Sequence, residues 1–244
     1  MRIIQFKKIL AIFLVVFLIL SLAAVATFET MNSRTFQFFG GIVNRINTHD
    51  KVVALTFDDG PSPAVDTILT ILNSENVTAT FFLIGNEIEQ YPEETKKLIS
   101  AGQEIGNHTY SHNRMVFKTP SYIKEEIEKT DNLIREMGYT EPIQFRPPYS
   151  KKFIFLPYYL KQHERKTILW DLEPNSLPEI DSSADNMVKY VVDNVKPGSI
   201  ILLHPMYDNK GTTIGALKGI IEGLKAKGYE FKTINELLIN RSEG

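Results

Sequence analysis

Short apolar runs alternate with amphipathic segments from residue 51 onward, and this alternation constrains the fold more than any other feature. Buried strands are predicted at Val52–Leu55, Ala79–Ile84, Glu104–Asn107, Ile143–Phe145, Thr167–Trp170 and Ser199–Leu203. Helices are predicted between them, for example over Pro63–Asn73, where apolar residues recur on one face. Strands that alternate with helices form βαβ units, whose strands are parallel. The sequence therefore predicts an α/β fold with a parallel sheet.

Polar side chains follow five of these predicted strands, at the point where each strand ends. They are Asp58 and Asp59, His108 and His112, Arg146 and Tyr149, Asp171 and Glu173, and His204. Ligands of parallel α/β folds bind at the carboxyl ends of the strands. We therefore expect these side chains to form one shared site.

Metal binding is the first function that this set of residues supports. The chain has no cysteine, so any metal must be held by His, Asp or Glu. His108 and His112 are four residues apart and can both reach one ion. With one of the two aspartates they form a set of N and O ligands that leaves positions open for water and substrate. The alternative is a polar loop with helix-capping aspartates and solvated histidines.

The remaining polar residues fit a hydrolytic reaction. The second aspartate can accept the proton of a metal-bound water, and Arg146 can hold that carboxylate in its ionised form. His204 is a candidate general acid for the leaving group, or else a buried structural histidine. A carboxylate beside it, Glu173 or Asp171, favours its protonated form, unless these two residues only cap a loop.

The first 28 residues predict a membrane or signal segment. Arg2, Lys7 and Lys8 precede an uncharged run, Ile9–Phe28, that is long enough to cross a bilayer as a helix. The basic flank stays in the cytoplasm, which places the rest of the chain outside it. The segment is an uncleaved anchor, or a signal peptide cleaved after Ala26, or else a buried core helix.

Three regions follow from these patterns: residues 1–28 as anchor or signal peptide, 29–50 as a stalk, and 51–240 as a single catalytic domain. Within the stalk, Phe36 to Phe39, then Gly40-Gly41, then Ile42 and Val43 predict a β-hairpin. The net charge of −2 gives no indication of a nucleic-acid partner.

Four motifs together resemble those of the polysaccharide deacetylases, which are carbohydrate esterase family 4 and carry the NodB-homology domain. The motifs are Thr56-Phe57-Asp58-Asp59-Gly60-Pro61, His108-Thr109-Tyr110-Ser111-His112, Arg146-Pro147-Pro148-Tyr149 and Leu202-Leu203-His204. They occur in the family's order, and the resemblance spans about residues 51–240.

The resemblance implies a fold, a cofactor and a role for each motif residue. The fold is a distorted (β/α) barrel of about seven strands, and the cofactor is a divalent metal, usually zinc, with cobalt or nickel as alternatives. By resemblance, Asp58 is the general base, and the metal ligands are Asp59, His108 and His112. Arg146 orients Asp58, the backbone N–H of Tyr149 stabilises the oxyanion, and His204 protonates the departing amine.

The sequence departs from the family in its fourth motif, which usually reads Asp-x-x-Asp-Trp. Here Glu173 stands at the first aspartate, and the later aspartate and tryptophan are absent. We expect Glu173 to reach His204 in place of the aspartate, with Asp171 as the alternative. In the third motif, Ser150 replaces the usual glycine.

These observations predict a metal-dependent enzyme that hydrolyses N-acetyl groups of a cell-wall glycan outside the cytoplasm. Peptidoglycan is the first choice of substrate, and a chitin-like N-acetylglucosamine polymer is the second. The alternatives are an O-acetyl esterase of xylan or wall sugars and a catalytically weak, metal-containing glycan-binding protein. The expected partners are the glycan and the membrane, and the chain is expected to be a monomer.

Overall fold

The strands and helices alternate from β2 onward, as the sequence predicts. The structure is a computed structural model that describes residues 2–239, so the predicted end of the domain at residue 240 lies outside the described residues. The helices are α1 Arg2–Asn32, α2 Val65–Ser74, α3 Gly85–Gln90, α4 Pro92–Ser100, α5 Pro120–Glu136, α6 Phe155–Gln162, α7 Ala184–Asn194, α8 Thr212–Ala226 and α9 Ile234–Ile239. The strands are β1 Ile42–Val43, β2 Val52–Asp58, β3 Thr80–Leu83, β4 Glu104–Asn107, β5 Thr167–Ile168, β6 Ile200–Leu203 and β7 Glu230–Phe231.

Strand β2 lies at the centre of a parallel sheet. The sheet has the order β4-β3-β2-β6, and β7 pairs with the beginning of β2. Phe57 is paired with Phe81 of β3 on one side and with Leu203 of β6 on the other. All seven residues of β2 are buried, because helices cover one face and the barrel interior covers the other. The predicted parallel α/β fold is confirmed.

Isolated bridges continue the pairing beyond the regular strands. Asn107 at the end of β4 bridges to Phe145, Phe145 bridges to Thr167 of β5, and Leu172 bridges to Ile201 of β6. The regular ladders thus form an open five-stranded sheet and a two-stranded sheet of β1 and β5, and single bridges complete the distorted barrel. The predicted strand Ile143–Phe145 is reduced to a single residue, Phe145, with one bridge on each side, because the prolines that follow cannot donate ladder hydrogen bonds.

The two faces of β2 pack into different clusters, as the period of two in a strand requires. Val53, Leu55 and Phe57 lie in the cluster formed with α2, α7 and α8. Ala54 lies in the second cluster, which includes Phe82 and Trp170 and fills the barrel interior. Thr56 and Asp58 share the inner face with Ala54, so the last residue of the strand points its carboxylate inward.

Helix α1 is long and apolar enough to cross a membrane, by length and composition alone. Within it, Gln5–Asn32 has a mean hydropathy of 3.2 over its most apolar window, and none of that window is buried. The core-helix alternative is therefore wrong. A membrane anchor and a signal sequence both fit.

The hairpin predicted in residues 29–50 is wrong. Strand β1 pairs in parallel with β5, and the carbonyl of Gly41 accepts a hydrogen bond from Thr167 N (3.0 Å). An isolated pair of strands is marginal in water, whereas joining the barrel buries Val43 and Ile46. Residues 41–46 are thus packed on the barrel.

Candidate metal centre

Asp58 ends strand β2 and forms a buried ion pair with Arg146. Arg146 Nη1 donates to Asp58 Oδ1 (2.6 Å) and to Thr56 Oγ1 (2.9 Å), and both charged side chains are almost fully buried. Burial alone raises the pKa of Asp58, but the charges of Arg146, His108 and His204 outweigh it and lower that pKa below its usual value. Asp58 is therefore ionised at neutral pH.

Asp59 follows immediately but faces the two histidines. Its φ of 69° lies in the left-handed region, which turns its side chain away from the line of the strand. Asp59 Oδ1 is 3.3 Å from His112 Nε2 and 3.9 Å from His108 Nε2. This oxygen is buried and has no hydrogen-bond partner within the described residues.

The loop after β4 holds both imidazoles in place. His108 is buried, and its Nδ1 lies 2.8 Å from the carbonyl oxygen of Arg146, which makes Nδ1 the protonated nitrogen and leaves Nε2 free to accept. Thr109 and His112 both have positive φ. The Glu126 carboxylate accepts from the backbone N–H groups of Tyr110 and Ser111, and this stabilises the strained loop.

These three residues fit a divalent metal. One ligand atom each from Asp59, His108 and His112 lies within 4.8 Å of the others. Burial and the neighbouring His108 lower the pKa of His112, which favours the neutral imidazole that coordinates metal. The unpartnered Oδ1 of Asp59 is the observation that favours a cation, because a buried carboxylate oxygen otherwise loses its hydration without compensation.

His204 follows β6 on the other side of Asp58. It is half-buried, and its charge lowers the pKa of both Asp58 and Asp181. Asn175 links this region: its Oδ1 accepts from His204 N (3.3 Å) and its Nδ2 donates to Asp181 Oδ1 (2.8 Å). Neither Asn175 nor Asp181 was predicted, because spacing along the chain does not show how the loop after Glu173 folds back towards His204.

Glu173 does not take the position predicted for it. Its Oε2 accepts from Trp170 Nε1 (2.8 Å) and from Arg34 Nη2 (2.9 Å), so the carboxylate turns to the N-terminal segment and not to His204. Arg34 also lies over the Trp170 ring, 4.7 Å from its centroid. Glutamate is one methylene longer than the aspartate usual at this position, and it can therefore reach Trp170 and Arg34. The spacing of residues along the chain does not reveal this contact.

The alternative prediction, that Asp171 is the partner of His204, is also wrong. Its carboxylate accepts from Ser199 Oγ (2.8 Å) and Ile200 N (2.9 Å), at the beginning of β6. His204 follows the other end of that strand, roughly 13 Å away at about 3.3 Å per residue. Asp171 therefore caps the strand.

Two aromatic residues mark the exposed rim of the site. Tyr149 packs on His112 with ring centroids 4.8 Å apart, and the Arg114 guanidinium lies over the Tyr149 ring, 5.2 Å from its centroid. Tyr207 lies near Glu87. Burial and the negative charge of Asp59 raise the pKa of Glu87, and the interaction with Tyr207 offsets only part of this rise. Glu87 and Tyr207 were not predicted as site residues, although each lies three or four residues after a predicted strand.

Comparison with known proteins gives a family model that matches half of the chain and a relative that matches about four fifths of it. A family model described as polysaccharide deacetylase matches residues 45–166. A peptidoglycan-N-acetylglucosamine deacetylase of Bacillus cereus is 32% identical over 202 residues, which cover 82% of this chain and 93% of that protein.

Two solved structures are similar in fold and differ in activity. A peptidoglycan N-acetylglucosamine deacetylase has a TM-score of 0.73 and 30% identity, and the match covers 80% of this chain and 91% of the other. A CE4 family pseudoenzyme from Bacillus anthracis has a TM-score of 0.72 and 28% identity, covering 80% of this chain and 68% of the other. The site residues, more than the fold, thus bear on activity.

Proposed function

Because this chain belongs to the polysaccharide deacetylase family, we propose that it removes N-acetyl groups from a cell-wall glycan, with peptidoglycan as the first choice. The observation that carries the proposal is the difference in surroundings between Asp58 and Asp59 at the end of β2. Asp59 presents an unpartnered oxygen to two histidines, while Asp58 next to it is held ionised by Arg146.

Asp59, His108 and His112 are the proposed ligands of a divalent metal. Zinc is the first choice, with cobalt or nickel as alternatives. When bound, such a metal lowers the pKa of a water molecule and polarises the acetamide carbonyl.

Asp58 is the proposed general base. Its Oδ1 is occupied by Arg146, while its Oδ2 lies 3.6 Å from His108 Nε2 and so faces the ligand set. An ionised carboxylate at this place can take the proton of the attacking water. The backbone N–H of Tyr149 is proposed to stabilise the oxyanion.

His204 is the proposed general acid. When the C–N bond of the acetamide breaks, the sugar nitrogen must gain a proton to leave as an amine. His204 is close enough to Asp58 for their charges to interact, on the side opposite the two ligand histidines, and it can give that proton. The products are acetate and a free amino sugar.

The proposed location is outside the cytoplasm, with residues 1–28 as an anchor or signal peptide and residues 51–240 as the catalytic domain of a monomer. The peptidoglycan substrate of the similar Bacillus cereus enzyme and the apolar helix α1 both support a site beside the cell wall.

Acetate release tests this proposal. The purified chain, loaded with zinc or cobalt, is incubated with peptidoglycan, with chitin oligomers and with acetylated xylan. We expect acetate from peptidoglycan and chitin oligomers, and none after metal removal by a chelator. Release from acetylated xylan alone would contradict N-deacetylation and favour the O-acetyl esterase.

A catalytically weak glycan-binding protein is the second candidate. It is favoured by Glu173, which turns to Arg34 where the family has an aspartate for the acid, and by the similarity to a pseudoenzyme. Metal-dependent binding to peptidoglycan, with no acetate released from any of the three substrates, would support it.

A further inference from the structure

Six apolar side chains form an exposed surface that the proposed reaction does not use. This aromatic patch consists of Phe36, Phe38, Phe117, Phe153, Ile154 and Phe155. Its rings meet edge to face, with centroids 5.6 Å apart for Phe36–Phe38, 5.8 Å for Phe38–Phe153 and 5.5 Å for Phe117–Phe153. Three separate segments of the chain thus contribute to one surface.

The patch concentrates much of the exposed apolar surface outside α1. Among the described residues after α1, ten large hydrophobic side chains are exposed, and five of them belong to the patch. Phe117 is 72% exposed, and Phe153, Ile154 and Phe155 line an apolar cavity of about 150 Å³ beside it. A contiguous exposed patch of this kind marks an interaction surface.

The patch is continuous with the end of α1. Its first residues follow that helix within a few positions, and Lys152 N donates to the carbonyl of Met31 in the last turn (3.4 Å). Lys151 Nζ lies 5.9 Å from the ring centroid of Phe28, also in α1. The segment that carries Phe153 to Phe155 therefore begins against the end of the apolar helix.

Basic side chains accompany the aromatic ones. Lys118 is partly exposed and lines the same cavity as Phe117, Lys151 is partly exposed two residues before Phe153, and Arg114 is exposed three residues before Phe117. Phenylalanine and aliphatic side chains next to lysine and arginine are the composition of protein surfaces that lie in the headgroup region of a bilayer.

We propose that the aromatic patch rests on the membrane that α1 spans, so that the catalytic domain lies on the lipid headgroups. The inference rests on the proposed membrane span and not on deacetylase activity. The occupant is a lipid surface, because the patch continues from the apolar helix and carries basic side chains that complement anionic headgroups.

Tryptophan fluorescence in lipid nanodiscs tests the contact. The full chain has one tryptophan, Trp170, which is 5% exposed and sets the baseline. Phe117→Trp and Phe36→Trp place a second tryptophan in the patch. Ile239→Trp is the matched control: Ile239 is 81% exposed on α9, which packs at the amino ends of β3 and β4 through Thr80 and Glu104.

Each variant is incorporated at one chain per disc, in ordinary and in brominated phosphatidylglycerol mixtures. We expect brominated lipid to quench the added emission of both patch variants about twofold or more, as for an interfacial side chain, and to leave the Ile239→Trp variant at baseline. If brominated lipid quenches the added emission of the patch variants no more than that of the control variant, the proposal is overturned.

Two other outcomes identify a different occupant or a different failure. If the patch tryptophans are unquenched in single-chain discs but shift to the blue when chains are crowded, the patch binds a second copy and the lipid assignment is wrong. If the chain does not enter discs at all, the proposed membrane span is wrong, and the proposed contact between the patch and the membrane is wrong as well. The proposed reaction is tested separately by acetate release.

Discussion

At the residue scale, the two neighbouring carboxylates of β2 differ in their surroundings more than in their position. Asp58 is the last residue of a strand and faces inward to Arg146, whereas Asp59 has a left-handed backbone and faces His108 and His112. Gly60 also has positive φ, and a Cβ there would lie 2.7 Å from Met206 Cγ. The chain can therefore turn at this point only with a glycine after the aspartates.

The variant Asp58→Asn tests the proposed base without changing the three proposed metal ligands. We expect turnover of chitin oligomers to fall by about 10²- to 10⁴-fold, because an amide cannot take the proton. Zinc binding by calorimetry is expected to persist, since Asp59, His108 and His112 are unchanged. His108→Ala is expected to lose both. Asp66→Asn, which alters only an exposed ion pair with Lys97, is the control. Normal turnover by Asp58→Asn would exclude Asp58 as the base.

The carboxylate that supports His204 is a second question at this scale. Asp181 and His204 interact electrostatically and share Asn175, whereas Glu173 contacts Arg34 and Trp170. A negative charge near an imidazole favours its protonated form. We therefore propose that Asp181 positions His204 through Asn175, whereas Glu173 stabilises the packing of Trp170 beside Arg146, whose guanidinium lies 5.5 Å from the Trp170 ring centroid.

Asp181→Asn and Glu173→Gln distinguish these roles. For Asp181→Asn we expect lower turnover with unchanged zinc binding, because Asn175, which holds the backbone of His204, loses its charged partner. Glu173→Gln is expected to keep most of the turnover and to lower the free energy of unfolding by about 1 to 3 kcal/mol through its lost charged hydrogen bonds. A loss of turnover in Glu173→Gln alone would restore the family's assignment to Glu173.

At the scale of elements, the central strands and their end residues could be predicted from sequence. Strands β2, β3, β4 and β6 are short apolar or buried runs bounded by turn residues, which is a local signal. The start of α5 could also be predicted from a local signal. Thr119 Oγ1 accepts from Tyr122 N (3.3 Å), and Pro120 follows as the first helical residue.

The elements that could not be predicted depend on tertiary contacts. Strand β1 has only two residues and forms because β5 is there to pair with it. The partners of Glu173 and Asp171 follow from the path of the loop after Trp170 and from the position of Arg34, which spacing along the chain does not encode. Local patterns thus identified which side chains meet at the metal centre, but not which carboxylate supports His204.

The contact between β4 and α9 predicts a pH dependence of stability. Glu104 begins β4, and its Oε2 accepts from Asn235 N of α9 (2.8 Å). Burial raises the pKa of Glu104 from 4.5 to about 7. From about pH 4.5 to about pH 7 the unfolded chain loses this proton while the folded chain keeps it. The free energy of unfolding should therefore fall as pH rises through this window, by as much as roughly 3 kcal/mol.

Urea unfolding of the wild-type chain and of Glu104→Gln measures this effect. We expect the stability difference between the two to change with pH between about 4.5 and 7 and to be constant above and below that window. A difference that is the same at pH 5 and pH 8 would show that Glu104 does not carry the dependence. Asp193→Asn, an exposed change on α7, is the control for general charge effects.

At the scale of the whole molecule, the segment between α1 and β2 is part of the barrel. Val43 and Ile46 are buried, Thr167 Oγ1 donates to Gln37 Oε1 (2.9 Å), and Arg34 reaches Glu173. A cut after Ala26 leaves all of these residues in the released chain. Anchored and secreted forms therefore keep the same site.

A chain that begins at Ser33 should consequently be more stable than one that begins at Lys51. Loss of the segment exposes the surfaces that Val43 and Ile46 cover, and burial of two such side chains contributes about 3 to 6 kcal/mol. We expect a lower urea midpoint for the shorter chain, and lower turnover because Trp170 and Glu173 lose Arg34. Ile46→Ala in the longer chain, which removes one buried side chain, should give an intermediate midpoint. Equal midpoints for the two chains would mean that the segment is a stalk, and that the barrel folds fully from residue 51.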